Sequence, residues 1–478
     1  MPRRKINRAL ISVSDKTGLL VLAQALVKHD VEIIASDGTA EFLREHHIMV
    51  STVTELTGDP ELLNGKVKTL NPAIHAAILA NPDDASEVKQ LGAIGPIDAV
   101  IVNLYPLPGF DIGGPALIRA AAKNSMYVTV LTEPNQYEAF ISNLTLGTST
   151  EDRNTLALQA LITTAEYDLS LAAERGVQLR YGENPHQGAT LLSRSSGVAG
   201  ARVLQGKAMS FNNYGDLDAA WIIALENPNS AVIIKHGIPT GVACRSSVTD
   251  AYTTALASDP ISAFGGVVAF NHEVDDHCAR AITERFTEVV AALSFTDDAL
   301  KILATKPALR VVEIPHLEAH SMDISAISGG YLIQTADTTT NAADNPHSWR
   351  LMSGEPAKPE LLDDLHFAWR VVARTRSNAI VVAHSQSTIG IGAGSVNRLD
   401  AARTAIHTAR TQHAEKLQFS VVASDAFFPF PDALEILAEA GITAIVQPGG
   451  SINDDAVIEA ARKAGISMYF TEIRHFSH

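Results

Sequence analysis

The sequence predicts a two-domain α/β protein: a doubly wound parallel sheet at the N-terminus, then a larger mixed α/β part. Three observations carry this. Apolar strand-like runs alternate with helical patterns along the first third of the chain. A polar, turn-rich segment, Arg180-Tyr181-Gly182-Glu183-Asn184-Pro185-His186, then breaks the rhythm. And 478 residues exceed what one hydrophobic core usually organises.

Residues 9–13 read as a buried strand, and residues 18–28 as a helix with Leu19, Leu20, Ala23, Leu26 and Val27 on one face. Residues 31–35 form the next strand and 39–46 the next helix, with further strands at 99–103 and 127–131. Ligands of such sheets gather at the carboxyl ends of the strands. The boundary falls just before Leu179, giving domains 1–178 and 179–478. In the second, residues 231–234, 267–270, 379–383 and 444–447 are strands, and the polar stretch 335–363 connects two halves.

Hydrophobic residues make up 46% and charged ones 19%, enough to bury a core without staples. The net charge is −16, from 37 Lys and Arg against 53 Asp and Glu. So acidic a surface repels phosphodiester backbones and argues against nucleic acid, though a pocket can gather its own cations around a small anion. Two cysteines, Cys244 and Cys278, build neither a disulfide framework nor a four-thiolate zinc site. The basic start, Arg3-Arg4-Lys5, leads into an apolar run too short for a signal peptide, and nothing approaches the ~18 apolar residues of a membrane span. The expected compartment is the cytoplasm.

Ser12-Val13-Ser14-Asp15-Lys16-Thr17-Gly18 runs from a strand through hydroxyls and a lysine into a helix. Free N–H groups at the helix start, with those hydroxyls and Lys16, suit a phosphate. Ser36-Asp37-Gly38-Thr39 repeats the arrangement. Ordinary N-capping explains either alone; two at one sheet edge favour an anion site. Gly65-Lys66-Val67-Lys68-Thr69-Leu70 adds two lysines on one side of an extended stretch, where solvated lysines are the commoner case. Asp111-Ile112-Gly113-Gly114-Pro115 opens a helix on which Arg119 and Lys123 share a face, a second contact for an anion.

Lys235-His236 directly follows a buried strand, whose end is where a parallel α/β sheet places its catalytic groups. Histidine titrates near neutrality and serves as a general base, and an adjacent lysine stabilises developing negative charge. A solvated strand end fits the pair equally well by itself. Gly390-Ile391-Gly392-Ala393-Gly394 is followed by Ser395 and a helix beginning near Arg398, which excludes a dinucleotide fingerprint. Ser424-Asp425-Ala426-Phe427-Phe428-Pro429-Phe430 is aromatic enough to wall a planar ring or to form a satellite core. The chain ends Arg474-His475-Phe476-Ser477-His478, where fraying is usual.

In order, S-V-S-D-K-T-G, V-K-T-L, N-L-Y-P, D-I-G-G-P with R-A-A-A-K-N, L-R-Y-G-E-N-P-H-Q, K-H-x-x-P-x-G, S-A-F-G-G, S-N-A-I, G-I-G-A-G, S-D-A-F-F-P-F, Q-P-G-G-S and R-H-F-x-H cover essentially the whole chain. Together they resemble the bifunctional purine-biosynthesis enzymes that join aminoimidazolecarboxamide ribonucleotide (AICAR) transformylase to inosine monophosphate (IMP) cyclohydrolase. Each motif is weak; a dozen in register are specific.

The resemblance implies a methylglyoxal-synthase-like N-terminal domain and a C-terminal domain of cytidine-deaminase-like repeats used without zinc. It implies formyl transfer from 10-formyltetrahydrofolate to AICAR, then dehydrative closure of formyl-AICAR to IMP, with folate as cosubstrate and no metal required. Carried over by motif, Ser12, Ser14, Lys16, Gly38 and Thr39 hold the phosphate, with Lys66 and Thr69 beside them. Lys68, Tyr105, Asp111 and Lys123 surround the formamide and carboxamide. In the second domain His236 is the base, Lys235 the oxyanion partner, and Asn378 positions the formyl group. Arg180, Tyr181, Asn213, Phe264, Phe427, Arg474 and His478 bind substrate. The family closes this site between two subunits, so a homodimer is implied.

The chain departs from the family pattern in places. Lys66 replaces an arginine, Asn71 a histidine and Asp37 a glycine; the stretch from Tyr105 to Asp111 is short; and Thr163-Thr164-Ala165-Glu166-Tyr167-Asp168 lacks a frequent histidine. In the second domain Gly237-Ile238-Pro239-Thr240 replaces the usual Asn-Pro-Cys wording, and Leu293 a proline. Two rivals follow: a transformylase with weakened cyclohydrolase activity, and a silent nucleotide-binding protein.

Overall fold

Five strands of the N-terminal unit pair as β1 (Arg8–Val13), β2 (Glu32–Ala35), β3 (Ser51–Thr52), β4 (Ala99–Asn103) and β5 (Thr129–Leu131), in the order β3-β2-β1-β4-β5. Every pair is parallel. The computed structural model describes residues 3–59, 63, 67–314 and 321–478, so Lys66 lies outside the described residues. The chain divides into two compact units, residues 1–175 and 176–478.

Alternation along each strand sends side chains to both faces. Leu10, Val100 and Val102 enter one core, with Leu117, Ile118 and Ala121 of α3 (Gly113–Lys123). Ala9, Ile11, Ala99 and Ile101 enter the other, with Leu19, Leu22 and Leu26 of α1 (Leu19–Lys28). Burial on both faces is why the central strands read as unbroken apolar runs. β1 leads into α1, and β2 into α2 (Asp37–Glu45), so both candidate phosphate turns lie at one sheet edge. A long helix, α4 (Thr150–Ala173), closes the unit and packs on α3 and β5.

The second unit holds two six-stranded sheets of one plan. In the first, β6 (Arg202–Gln205), β7 (Ser230–Lys235), β8 (Ile238–Cys244), β9 (Val267–Phe270), β10 (Val289–Ala292) and β11 (Arg310–Glu313) take the order β6-β11-β10-β9-β7-β8. After a separate hairpin, β12 (Met322–Ile327) and β13 (Gly330–Thr335), comes the second: β14 (Arg350–Ser353), β15 (Ile380–Ala383), β16 (Thr388–Gly392), β17 (Val421–Ser424), β18 (Ala444–Gln447) and β19 (Ser467–Phe470). Its order is β14-β19-β18-β17-β15-β16. Parallel and antiparallel pairings correspond one for one.

Period-2 alternation divides these strands between shared and private cores. Val232 and Ile234 of β7 meet Val381 and Ala383 of β15 in one central core, where α5 (Phe211–Glu226) brings Trp221 and α6 (Pro359–Ala373) brings Trp369. Ala231 and Ile233 face a core of the first half, Ile380 and Val382 one of the second.

Two expectations are corrected here. Lys235 does not end a strand in a parallel sheet: β7 runs antiparallel to both β8 and β9, and Lys235 opens a hairpin turn. Residues 335–363 are also more than a connection, since they hold β14 and the start of α6. β14 is a short edge strand with Arg350 and Leu351 exposed, so it carries no apolar alternation to read.

Candidate active sites

In the N-terminal unit the carboxyl edge of the sheet gathers most of the predicted cyclohydrolase residues. Thr39 is buried, and its Oγ accepts from Val13 N at 3.2 Å and from Lys16 Nζ at 3.1 Å. Ser14 Oγ donates to Leu104 O at 2.9 Å, which ties β1 to the end of β4. No side chain caps α2, and a Cβ on Gly38 would meet nothing within 4 Å, so the start of the helix leaves room for a ligand. Ser12 lies on β1 beside this turn, partly exposed. Lys68 and Thr69 lie not on an extended stretch but in a 3₁₀ turn, Lys68–Leu70. A Cβ on Gly113 would strike Thr69 Oγ1 at 2.0 Å, so this turn is packed on the start of α3. There Asp111 Oδ1 caps the helix, accepting from Gly114 N at 2.7 Å.

Burial holds the ammonium groups of Lys16 and Lys68 below the usual lysine range. A desolvated cation is stabilised by an incoming anion, the electrostatic signature of a phosphate site. The departures find physical partners here. Asp37, where glycine is usual, pairs with Lys68. Tyr167 OH donates to Gly109 O at 3.0 Å and accepts from Asp111 N at 2.9 Å, which fastens the shortened loop to α4. Tyr105 projects from that loop, exposed.

Lys123 does not join the group. It is the last residue of α3, exposed, roughly 15 Å along the axis from the end that bears Asp111. Arg119, on the same face, pairs with Asp168. The cationic face read from their spacing is real, but it points away from the carboxyl edge of its own sheet.

In the second unit His236 and Gly237 form the two-residue turn between β7 and β8, with φ of 53° and 72°. Two positive φ values are what a tight hairpin of native twist requires. The turn presents His236 to solvent. Beside it, Lys235 Nζ donates to Phe264 O at 2.9 Å and Gly265 O at 3.0 Å. An ammonium has three protons, so one remains to aim. The exposed Phe264 ring packs against Phe286, with centroids 5.4 Å apart.

Asn378 is fixed by its own shell: Oδ1 accepts from Arg398 Nη2 at 2.8 Å, and Nδ2 donates to Ser395 O at 2.9 Å. Arg398 is held in turn by the fully buried Asp425, which also accepts from Ala379 N at 3.1 Å and Ser377 Oγ at 2.5 Å. The chain end is pinned rather than frayed. Ser377 N donates to Ser477 O at 2.8 Å, and Ser477 N to Ser377 Oγ at 3.0 Å. Arg474 stacks on Phe476 at 4.7 Å, and Phe476 meets His478 edge-on at 5.4 Å. Phe427, partly exposed, follows Asp425 by two residues. A cavity of about 860 Å³ brings Gly237 together with His478, Arg370 and Arg374.

Asn213 has a structural duty: its Oδ1 accepts from Ser210 N at 3.1 Å, closing a capping box at the start of α5. Arg180 and Tyr181 stack on each other at 4.5 Å, in a loop that meets α5 through Asn212 Nδ2 and Glu183 O, and they do not line the cavity. Among the described residues no group of three or more His, Cys, Asp or Glu is placed to hold a metal. Cys278 is buried and Cys244 partly so; burial pushes both thiols up, that of Cys244 to about 11.

The family model described as "AICARFT/IMPCHase bienzyme" matches residues 121–408, and that described as "MGS-like domain" matches residues 18–129. The protein named bifunctional purine biosynthesis protein PurH in Corynebacterium glutamicum strain ATCC 13032 is 44% identical over an alignment of 519 residues, spanning 100% of this chain and 99% of that one. The chain belongs to the AICARFT/IMPCHase bienzyme family. The PurH protein of C. glutamicum strain R is likewise 44% identical over the same span. A solved structure described as "Crystal structure of ForH" is 32% identical, with 35% of this chain and 98% of that chain covered, at a TM-score of 0.33. The alignment with the PurH relatives is longer than the chain, so those proteins carry residues with no counterpart here.

Sequence reasoning missed Asp216, Asp425, Arg398 and the buried cluster of His475 with Asp337 and Asp344. One signal was available. Asp216-Leu217-Asp218-Ala219-Ala220-Trp221 and Asp364-Leu365-His366-Phe367-Ala368-Trp369 share D-L-x-x-A-W, each shortly before an apolar strand. That repeat, too distant for a short-period search, marks the two halves.

Proposed function

We propose that this chain catalyses the last two steps of IMP synthesis, formyl transfer to AICAR and closure of formyl-AICAR, as a cytoplasmic homodimer using 10-formyltetrahydrofolate. The observation that carries the first step is the pairing of an anchored Lys235 ammonium with an exposed His236 on one hairpin turn. The 5-amino group of AICAR is a weak nucleophile, its lone pair being delocalised into the imidazole. As it attacks the formyl carbon, His236 takes its proton. The oxygen of the tetrahedral intermediate becomes negative and is met by the remaining Lys235 N–H and the Asn378 amide. Collapse breaks the bond to N10 of the folate, and the imidazolium returns its proton there. Formyl-AICAR and tetrahydrofolate are the products.

The second step belongs to the N-terminal unit. Lys16, Gly38, Thr39 and Thr69 hold the phosphate, while Lys68, Tyr105 and Asp111 surround the reacting groups. The carboxamide nitrogen attacks the formyl carbon and water leaves. Orientation supplies much of the rate, because intramolecular effective molarities are large. The rival of a weakened cyclohydrolase draws no support from the short loop, which Tyr167 ties to α4, whereas Asp37 meets Lys68 and competes with substrate for it.

The test is the purified protein with AICAR and 10-formyltetrahydrofolate. IMP is the expected product; accumulation of formyl-AICAR would favour the rival, and no turnover a silent binder. His236→Gly, which tolerates the positive φ, is expected to abolish formyl transfer and leave closure of added formyl-AICAR intact. Loss of both activities in a folded variant would sink the two-site reading.

A further inference from the structure

The twin helices α5 and α6 each carry an aspartate at their sixth residue, and each aspartate does the same work. Asp216 accepts from His236 N at 3.3 Å and Gly237 N at 2.6 Å. Asp364 accepts from Ser385 N at 2.7 Å and Gln386 N at 2.6 Å in the equivalent turn between β15 and β16. All four turn residues have positive φ: 53° and 72° in the first, 50° and 47° in the second. Three of them carry a side chain, which that backbone region disfavours. Two charge-assisted bonds from one carboxylate offset the cost.

The turns differ in what lies beyond them. In the second half the carboxylate is buried beneath a turn whose Ser385 stays exposed, and Arg245 lays Nη1 on Ser385 O at 2.8 Å and Nη2 on Ser387 Oγ at 3.3 Å. In the first half Asp216 is partly exposed, His236 is exposed, and Gly237 lines the 860 Å³ cavity. One device therefore holds a structural turn in one half and the turn bearing the base in the other.

We propose that Asp216 is a positioning residue of the formyl-transfer site. It fixes the backbone of His236 and Gly237, and so aims the imidazole beside the Lys235 ammonium. The proposal rests on the formyl-transfer reading above. It is tested in the full-length protein by steady-state kinetics. Asp216→Ala is expected to lower kcat for formyl transfer ~10²-fold, the cost of a base misplaced by an ångström, with KM for AICAR changed less than about threefold. Asp216→Asn keeps one acceptor oxygen and is expected to fall between, which covers the case of an alanine variant that folds poorly. Asp364→Ala removes the twin carboxylate and is expected to lower the unfolding midpoint at unchanged kcat. The double variant Asp216→Ala/His236→Gly is expected to be no slower than His236→Gly alone, because the two act as a unit. A wild-type kcat in Asp216→Ala beside an inactive His236→Gly overturns the proposal alone. A wild-type kcat in His236→Gly overturns the base assignment and the proposal with it.

Discussion

At the scale of single residues, His475 is held at both ring nitrogens. It is fully buried, with Nδ1 2.6 Å from Asp337 Oδ2 and Nε2 2.8 Å from Asp344 Oδ1, and Trp369 Nε1 donates to the same Asp344 oxygen at 2.8 Å. Burial alone would lower its pKa, but bonds to two carboxylates outweigh burial and push it up to about 9. The same contacts hold Asp344 below the usual carboxylate range against its own desolvation. Because the folded value lies above the unfolded one of about 6.5, the stabilisation is fully present below pH 6.5. It is lost as pH rises through about 9, on the order of 3 kcal/mol at most. Wild-type protein is therefore expected to lose unfolding free energy between pH 6.5 and 9.5, as measured by urea titration, and His475→Gln to show a flatter profile from a lower start. Parallel profiles would contradict the buried imidazolium. Nothing in the sequence announced this cluster, because its three ionisable members lie up to 138 residues apart.

At the scale of elements, what was legible followed from pattern. The runs at β1, β4, β7 and β15 are apolar because both faces are buried, and the helix at Arg398 begins where its Asn397 cap stands. What was not legible was pairing direction. An apolar run of four residues reads alike in a parallel and an antiparallel sheet, so the pattern does not separate the hairpin that carries His236 from a parallel strand end. The α2 turn shows what one substitution does to an element that binds. Asp37 places a carboxylate on Lys68, so the reacting groups of an incoming formyl-AICAR have to displace it before they meet the ammonium. Asp37→Gly is expected to lower the KM for formyl-AICAR several-fold with little change in kcat, as loss of a competitor for ground-state binding would. A raised KM would show instead that Asp37 orients Lys68 productively.

At the scale of the whole molecule, the hairpin of β12 and β13 bears on assembly. It belongs to neither six-stranded sheet, and an isolated ribbon of two strands is marginal in water. Yet Met322, Ile324, Ile327, Leu332 and Ile333 are each more than half exposed, with Ile324 directly opposite Ile333 in the register. Apolar side chains exposed on such a ribbon suit a surface that the proposed homodimer would cover. A homodimer in which each subunit covers its partner's hairpin accounts for both facts, and the strand leads straight to Asp337, which holds His475 and the tail bearing His478. Charging the ribbon, as in Ile324→Asp with Leu332→Asp, is expected to convert the dimer to monomer by sedimentation. Formyl transfer should then fall at least about tenfold, while closure of formyl-AICAR in the N-terminal unit continues. A wild-type protein that sediments as a monomer would remove the dimer from the mechanism. A charged variant that stays dimeric would move the interface elsewhere on the second unit.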